Sequence, residues 1–231
     1  MFQSKSPELL KIVAIILMVL DHVGLILDDN MVLRTLGRFA LPLFIFQLVN
    51  GYLTSKNHLS NLKLLLLFAV ISYLPYNVMI YSSYWEEFVT NQQVRGTWNV
   101  FMPLSIAYFC MMLAENKNVV GQYLMVMISP FIDMDYGWFI PVMTLTIYHI
   151  SQQPTLNDVT KMVYVFLSYS ILNTLYAIDV NSIWIQLLAP LGIPLAICLL
   201  KVDIGFRLPK LLYFWVYPLH ILILSIVKVM K

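Results

Sequence analysis

The stretch ELLKIVAIILMVLDHVGLIL, residues 8–27, decides the fold class of this chain. A membrane-spanning helix needs about 20 mostly apolar residues, and this stretch supplies them. Lys11 lies near the start of the apolar run, and the adjacent pair Asp21 and His22 lies in its far half. A charge deep in a membrane helix costs about 2.5–3.5 kcal/mol on insertion scales, so such residues usually serve a function. We expect a membrane helix that carries part of a site. It should be retained, because it ends in Asp-His rather than at a signal-peptide cleavage sequence.

The composition extends this expectation to the whole chain. Of its 231 residues, 60% are hydrophobic and 11% are charged, with a mean hydropathy of +0.79. Soluble domains carry about 25% charged residues, so this is a polytopic membrane protein. The net charge of +2, without a basic patch, argues against nucleic-acid binding. The two cysteines lie in apolar segments and form no CxxC motif, so we expect neither a disulfide framework nor a metal site.

We predict an all-α transmembrane bundle, forming a single domain over residues 1–231, with about nine helical spans. The fifth and sixth spans are short, and are either two helices or one broken helix. The connection 82–97 is aromatic and acidic, and is either an interfacial anchor or a lid. The predicted spans are 9–27, 33–53, 61–81, 98–114, 118–132, 138–150, 160–178, 182–200 and 208–229.

The distribution of charge in the connections predicts the orientation. If the spans alternate, most cations fall on the side where the chain begins, and the opposite side is mainly acidic. Cytoplasmic loops of membrane proteins are enriched in lysine and arginine. We therefore place the N-terminus in the cytoplasm, although Lys228 and Lys231 near the other terminus break the trend. The cations on the first side are Lys5, Lys11, Lys56, Lys63, Lys117, Lys161, Lys201, Arg207 and Lys210, and the opposite loops carry Asp28, Asp29, Glu86, Glu87, Asp133, Asp135, Asp179 and Arg95.

The first candidate site joins the first two spans. Arg34 and Arg38 are four residues apart and share a helix face. A short turn makes these spans antiparallel neighbours, so both arginines should lie at the depth of Asp21 and His22. One interpretation is a structural pair between Asp21 and Arg38. The histidine, which titrates near neutral pH, favours catalysis instead.

The second candidate site lies on the last span. Tyr213, Tyr217 and His220 follow one another at helical spacing on a single stripe, and Pro218 lies between the last two. A lone buried histidine is more often a packing residue than a catalytic one. The two tyrosines on its face leave packing and function equally open.

The motifs of several enzyme classes are absent. The chain has no GxxxxGK[ST] phosphate loop, no GxGxxG after a strand, no HExxH and no GxSxG. Three hypotheses remain for a bundle with buried His, Asp and Arg: an enzyme, a transporter that uses these residues as a proton relay, and a non-catalytic assembly subunit.

Several blocks of the sequence resemble the TraX family of bacterial inner-membrane proteins. LKIVAIILMVLDHVG (10–24) and RTLGRFALPLF (34–44), continuing through Gly51-Tyr52, are similar to its beginning. SYLP (72–75), Asn99 and Asp135-Tyr136-Gly137 are similar to its middle. KLLYFWVYPLHILIL (210–224) is similar to its end. The blocks occur in order over almost the whole chain, and the first and last are the most specific.

The resemblance implies a membrane acyltransferase that uses acetyl-CoA as co-substrate. The named member of the family acetylates the N-terminus of conjugative pilin. The acceptor implied here is a pilin-like protein or a surface glycan outside the cytoplasm. The type three membrane acyltransferases also place a basic residue and a first-helix histidine with ten residues between them, which is the spacing of Lys11 and His22.

The resemblance also implies roles for individual residues. His22 would act as general base, and Asp21 would orient it or stabilise its charged form. Arg34, Arg38 or Tyr217 would stabilise the oxyanion. Lys11 would bind acetyl-CoA, and Asn99 and His220 complete the expected binding residues. Direct transfer and an acetyl-histidine intermediate both remain open.

Overall fold

The computed structural model describes residues 7–27, 30–81, 96–179 and 183–230, and it confirms the all-α class. Within these residues the chain forms helices without β-strands, apart from one isolated bridge between Trp98 and Met134. The helices are α1 (Glu8–Ile26), α2 (Met31–Gly37), α3 (Ala40–Thr54), α4 (His58–Ile71), α5 (Tyr73–Tyr81), α6 (Phe101–Glu115), α7 (Val119–Ile128), α8 (Phe139–Gln152), α9 (Asp158–Asp179), α10 (Ile183–Gln186), α11 (Gly192–Leu200) and α12 (Lys210–Val229).

Only some of these helices have the length of a full membrane span. Among the described residues, four helical stretches are long and apolar enough: Glu8–Ile26, Met31–Thr54, Asp158–Asp179 and Lys210–Lys228. The pair α4 and α5 qualifies as a fifth if it is one span bent by 40°. Phe101–Glu115, Val119–Phe131 and Ala189–Leu200 are shorter apolar helices. The prediction that some spans are short or broken is therefore confirmed. The predicted segments 118–132 and 138–150 are two separate helices, α7 and α8.

The bundle has two ends, and successive predicted spans run in alternating directions between them. Lys11 in α1 and Lys210 in α12 border the same cavity, so these two helices begin at the same end. The Lys228 amine donates hydrogen bonds to the carbonyl oxygens of Met79 and Ile80, so α12 and α5 finish at the opposite end. We call these the Lys11 end and the Arg34 end. The predicted loop charges Lys5, Asp28, Asp29, Glu86, Glu87, Arg95 and Lys231, and most of the connection 82–97, lie outside the described residues.

The helix α1 lies at the centre of the arrangement, where it packs against α2, α3, α11 and α12. Its buried face includes Leu10, Ala14, Met18, Asp21 and Gly24. The small residues on this face allow close packing of neighbouring helices, as is common in membrane bundles. The first and last described helices are therefore direct neighbours, and both candidate sites come together in the middle of the bundle.

Candidate functional site

The predicted charged group of α1 and α2 is formed. Oδ1 of Asp21 lies 3.1 Å from a guanidinium nitrogen of Arg38 and 3.2 Å from one of Arg34. Asp21 and Arg38 are both buried. A buried carboxylate is tolerated only when it is paired and hydrogen-bonded, and two arginines meet that need here. The depth match expected from the short turn is thus confirmed.

A glycine permits this close approach of α1 and α2. A Cβ atom built on Gly37 would lie 2.2 Å from Cβ and 2.6 Å from Cα of Asp21, which is far inside van der Waals contact. Gly24 on α1 likewise permits the close approach, because a Cβ there would lie 2.8 Å from Cβ of Leu33. The two helices therefore touch backbone to backbone, directly beside the carboxylate that both arginines bind.

The loop before α8 extends the charged group. Arg38 donates a 2.9 Å hydrogen bond to the hydroxyl of Tyr136. The backbone of Tyr136 has a φ of 58°, which is a strained value for an aromatic residue and is characteristic of functional positions. Two backbone bonds hold this loop in place: Trp98 N–H to Asp133 C=O at 2.9 Å, and Asp135 N–H to Trp98 C=O at 2.8 Å. Tyr136 was not among the predicted site residues, although it lies in the quoted Asp135-Tyr136-Gly137 block.

Asp135, in the same loop, has an altered ionisation. Burial raises the pKa of the Asp135 carboxyl from 3.8 to about 6, and the nearby cation of Arg38 partly opposes that rise. A carboxyl with a pKa near 6 is partly protonated close to neutral pH. The loop therefore brings a proton-exchanging group to the edge of the charged group, which spacing arguments did not identify.

The histidines of the two predicted sites meet directly. Nδ1 of His22 lies 2.8 Å from Nε2 of His220, across 198 positions of sequence. Nδ1 of His220 lies 2.8 Å from the carbonyl oxygen of Val216. The ring of Tyr217 packs edge-on against both histidines, with centroids 6.2 Å and 5.4 Å away. The expected stripe on the last span is confirmed, and its histidine is bonded to the first span.

A cavity of about 660 Å³ reaches Tyr217 but is not lined by His22 or His220 themselves. At the Lys11 end it is bordered by the cations Lys11, Arg207 and Lys210. Its deep part is lined by Met18, Val100, Phe101 and Tyr217 among others. The Tyr217 hydroxyl is buried and makes no hydrogen bond of good geometry with a described residue. Tyr217 therefore forms both the deep wall of the cavity and one side of the histidine pair.

The remaining predicted residues are placed as follows. Lys11 borders the cavity, and its amine forms a 3.0 Å ion pair with Glu8 one turn earlier. Of the predicted catalytic and binding residues only Lys11 and Tyr217 line the cavity, so Asn99, like the residues of the charged group and the histidine pair, does not. Its amide donates to the Ala69 carbonyl at 2.7 Å, and its oxygen accepts from the Phe101 N–H at 3.1 Å. The expected binding role of Asn99 is thus unsupported by its position, since its side chain ties the end of α4 to the start of α6.

The Asp21 carboxylate was expected to orient His22, but its position is not that of a partner of the His22 ring. Oδ1 of Asp21 forms ion pairs with Arg34 and Arg38, while the Nδ1 atom of His22 is bonded to His220. Adjacent residues on a helix point about 100° apart, which explains how the neighbours Asp21 and His22 contact different helices. In the described part of the chain, no group of three or more His, Cys, Asp or Glu could hold a metal ion.

The fold and site define a polytopic α-helical membrane protein with a buried His–His pair beside an Asp–Arg–Arg group. The chain belongs to the TraX family, whose model, described as TraX protein, matches residues 6–228. It is also 33% identical over 151 residues to the probable fimbrial assembly protein FimC, serogroup H1, of Dichelobacter nodosus. That match covers 61% of this chain and 60% of the relative, so the chain spans well under two thirds of the length of the relative. No solved structure matches the chain.

Proposed function

We propose that this protein is a membrane-embedded acyltransferase of the bacterial inner membrane, with its N-terminus in the cytoplasm. It would move an acetyl group from cytoplasmic acetyl-CoA to an acceptor on the other side. One observation carries the proposal: the 660 Å³ cavity begins among three cations and ends at Tyr217, whose ring contacts His22 and His220. A donor bound in it would have its phosphates near the cations and its acyl group near the histidine pair.

The lining of the cavity suits acetyl-CoA. Its volume lies in the range of about 300–1,000 Å³ that is usual for ligand sites. Lys11, Arg207 and Lys210 offer charge for the phosphates, and apolar side chains surround the path from there towards Tyr217. Along this path, Oε1 of Gln47 is buried without a good hydrogen bond to a described residue. It is placed to accept from an amide N–H of the pantetheine arm.

The chemistry requires one base and one oxyanion donor. The His22 imidazole takes the proton from the attacking amine or hydroxyl as the new C–N or C–O bond forms. The Tyr217 hydroxyl, which lacks a good partner within the described chain, donates to the carbonyl oxygen as negative charge develops there. The C–S bond then breaks, and His22 returns the proton to the thiolate, which leaves as the thiol of CoA. Asp21 is a positioning residue in this scheme, because it holds the two arginines.

The acceptor is proposed from the family and the relative. The printed name of the Dichelobacter protein is that of a fimbrial assembly protein. We therefore propose a pilin-like protein with a free amine as the acceptor class, and a surface glycan as the alternative. The same name favours a second candidate function for this chain, a non-catalytic assembly subunit of a surface fibre.

The test separates donor binding from transfer. Purified protein is titrated with acetyl-CoA, and membranes are incubated with acetyl-labelled acetyl-CoA, followed by mass spectrometry of envelope proteins and glycans. His22→Ala should bind acetyl-CoA normally and lose transfer, and Lys11→Gln with Lys210→Gln should weaken binding. His149→Ala and Lys63→Gln are the matched controls, because neither residue borders the cavity or contacts the pair of His22 and His220.

Two outcomes would count against the enzyme. If the purified protein does not bind acetyl-CoA, the acyltransferase proposal is wrong, and if His22→Ala keeps full transfer, His22 is not the base. A stable complex with a fibre subunit that persists in His22→Ala, with no acetyl group added to any envelope component, would support the assembly function instead.

A further inference from the structure

We infer that His220 sets the proton positions of His22, so that Nε2 of His22 is the atom that acts as base. The inference deepens the proposed function and rests on it for its catalytic part. The starting point is the carbonyl oxygen of Val216, which can only accept a hydrogen bond. Nδ1 of His220 lies 2.8 Å from the Val216 carbonyl oxygen, which has no proton to give. Nδ1 of His220 must therefore carry the hydrogen.

The position of the hydrogen on the His220 ring determines the position of the hydrogen on the His22 ring. A neutral imidazole carries a hydrogen on one nitrogen and a lone pair on the other. With Nδ1 protonated, Nε2 of His220 is an acceptor, and it lies 2.8 Å from Nδ1 of His22. His22 must donate in this contact, so its own hydrogen is on Nδ1 and its lone pair is on Nε2. Nε2 of His22 makes no hydrogen bond with a described residue, which leaves it free to meet an acceptor group.

The ring geometry supports a true hydrogen bond between the histidines. Their planes differ by 20° and their centroids are 5.1 Å apart. Rings that face each other stay about 3.5 Å or more apart, because that is the contact distance of carbon atoms. A 2.8 Å distance between nitrogens is shorter than this and places the rings edge to edge. The hydrogen of His22 thus lies close to both ring planes and points along the lone pair of His220.

The pair can also share the positive charge of the protonated base. When Nε2 of His22 accepts a proton, its Nδ1 hydrogen can shift to Nε2 of His220, while Nδ1 of His220 keeps its own hydrogen and still donates it to the Val216 carbonyl oxygen. No atom is gained or lost in this shift, and the charge moves one ring away from the reacting groups. This matters because Arg34 and Arg38 lie nearby, and the Asp21 carboxylate is paired with them. His220 takes the positioning part that a carboxylate has in a Ser-His-Asp triad.

The experiment reads the tautomer directly. Protein labelled with ¹⁵N-histidine is purified in detergent, and the His22 resonances are assigned by their loss in His22→Ala. In the unchanged protein we expect the hydrogen of His22 on Nδ1 and the lone pair on Nε2. His220→Gln should keep this state, because the glutamine oxygen can accept from Nδ1. His220→Ala should lose it. A spectrum of the unchanged protein with the His22 hydrogen on Nε2 overturns the inference, whether or not either variant folds.

The kinetic arm tests the catalytic part. His220→Ala should lower kcat by about 10²–10⁴-fold, the range of general-base contributions, without changing KM for acetyl-CoA. The kcat of His220→Gln should fall less, because glutamine can orient His22 but cannot share the positive charge. His149→Ala, the histidine control from α8, should leave kcat and the His22 spectrum unchanged. Unchanged kcat in His220→Ala removes the catalytic part. The expected tautomer without any acetyl transfer would instead mean that the proposed function fails while the proton order stands.

Discussion

Gly37→Ala is the most direct perturbation of the contact between α1 and α2. The new methyl group would lie 2.2 Å from Cβ of Asp21, and ordinary contact begins at 3.4 Å. The two helices must therefore separate by about 1.2 Å, since atoms of the backbone and of a buried side chain have little room to yield. The Asp21–Arg38 contact, now 3.1 Å, would then exceed 4 Å and cease to be a close ion pair.

The expected cost follows from these distances. Overpacking of a well-packed site costs about 1–3 kcal/mol. For a chain of about this size each kcal/mol lowers the unfolding temperature by about 2–4 °C. We expect a fall of several degrees in detergent, together with a loss of the proposed acetyl transfer, because the arginines lose their fixed position. Thermal unfolding and the transfer assay measure the two effects on the same preparation.

Gly51→Ala is the matched control for stability. A Cβ on Gly51 would have no atom within 4 Å, and the residue lies in the last turn of α3. Alanine in a helix is favoured over glycine by about 1 kcal/mol, so stability should stay the same or rise. If Gly37→Ala behaves like Gly51→Ala in unfolding temperature, the close approach of α1 and α2 described above does not exist in the protein.

Three further predictions address other contacts. Asp21→Asn removes the carboxylate that pairs with the buried Arg38 and the half-buried Arg34, and should cost about 3–5 kcal/mol in unfolding free energy, with Lys63→Gln as a neutral reference. Asp135→Asn should raise the unfolding temperature more at pH 8 than at pH 5. Burial raises the pKa of Asp135 to about 6, so ionisation of this carboxyl destabilises the folded state as the pH rises through that value. An equal gain in unfolding temperature at both pH values would contradict this. Lys228→Met removes hydrogen bonds to two carbonyls at the end of α5 and should cost about 1–3 kcal/mol, whereas Lys63→Met should cost nothing measurable.

The sequence was sufficient for the parts of the site that lie close together along the chain. The grouping of Asp21, Arg34 and Arg38 follows from a short turn and from i, i+4 spacing on a helix, which are local rules. The stripe of Tyr217 and His220 follows from helical periodicity in the same way. The all-α class follows from composition and from the lengths of the apolar runs.

The parts of the site that the sequence did not predict depend on how distant segments of the chain pack together. The bond between His22 and His220 joins residues 198 positions apart, and apolar helix faces in a membrane protein do not indicate which helices are neighbours. Tyr136 reaches Arg38 only because a backbone bridge at Trp98 holds its loop, and periodicity does not describe such a loop. Asn99 was placed in the site by resemblance, whereas its amide bonds two backbone groups.

The pairing of the first described helix with the last has a consequence for synthesis of the protein in the cell. α1 precedes α12 along the chain, so Asp21 and His22 leave the ribosome long before α12 is made. Until then the face of His22 that will meet His220 has no protein partner from that helix. A chain that stops before α12 therefore lacks Tyr217 and His220, and the proposed acyl transfer would begin only after translation has delivered α12.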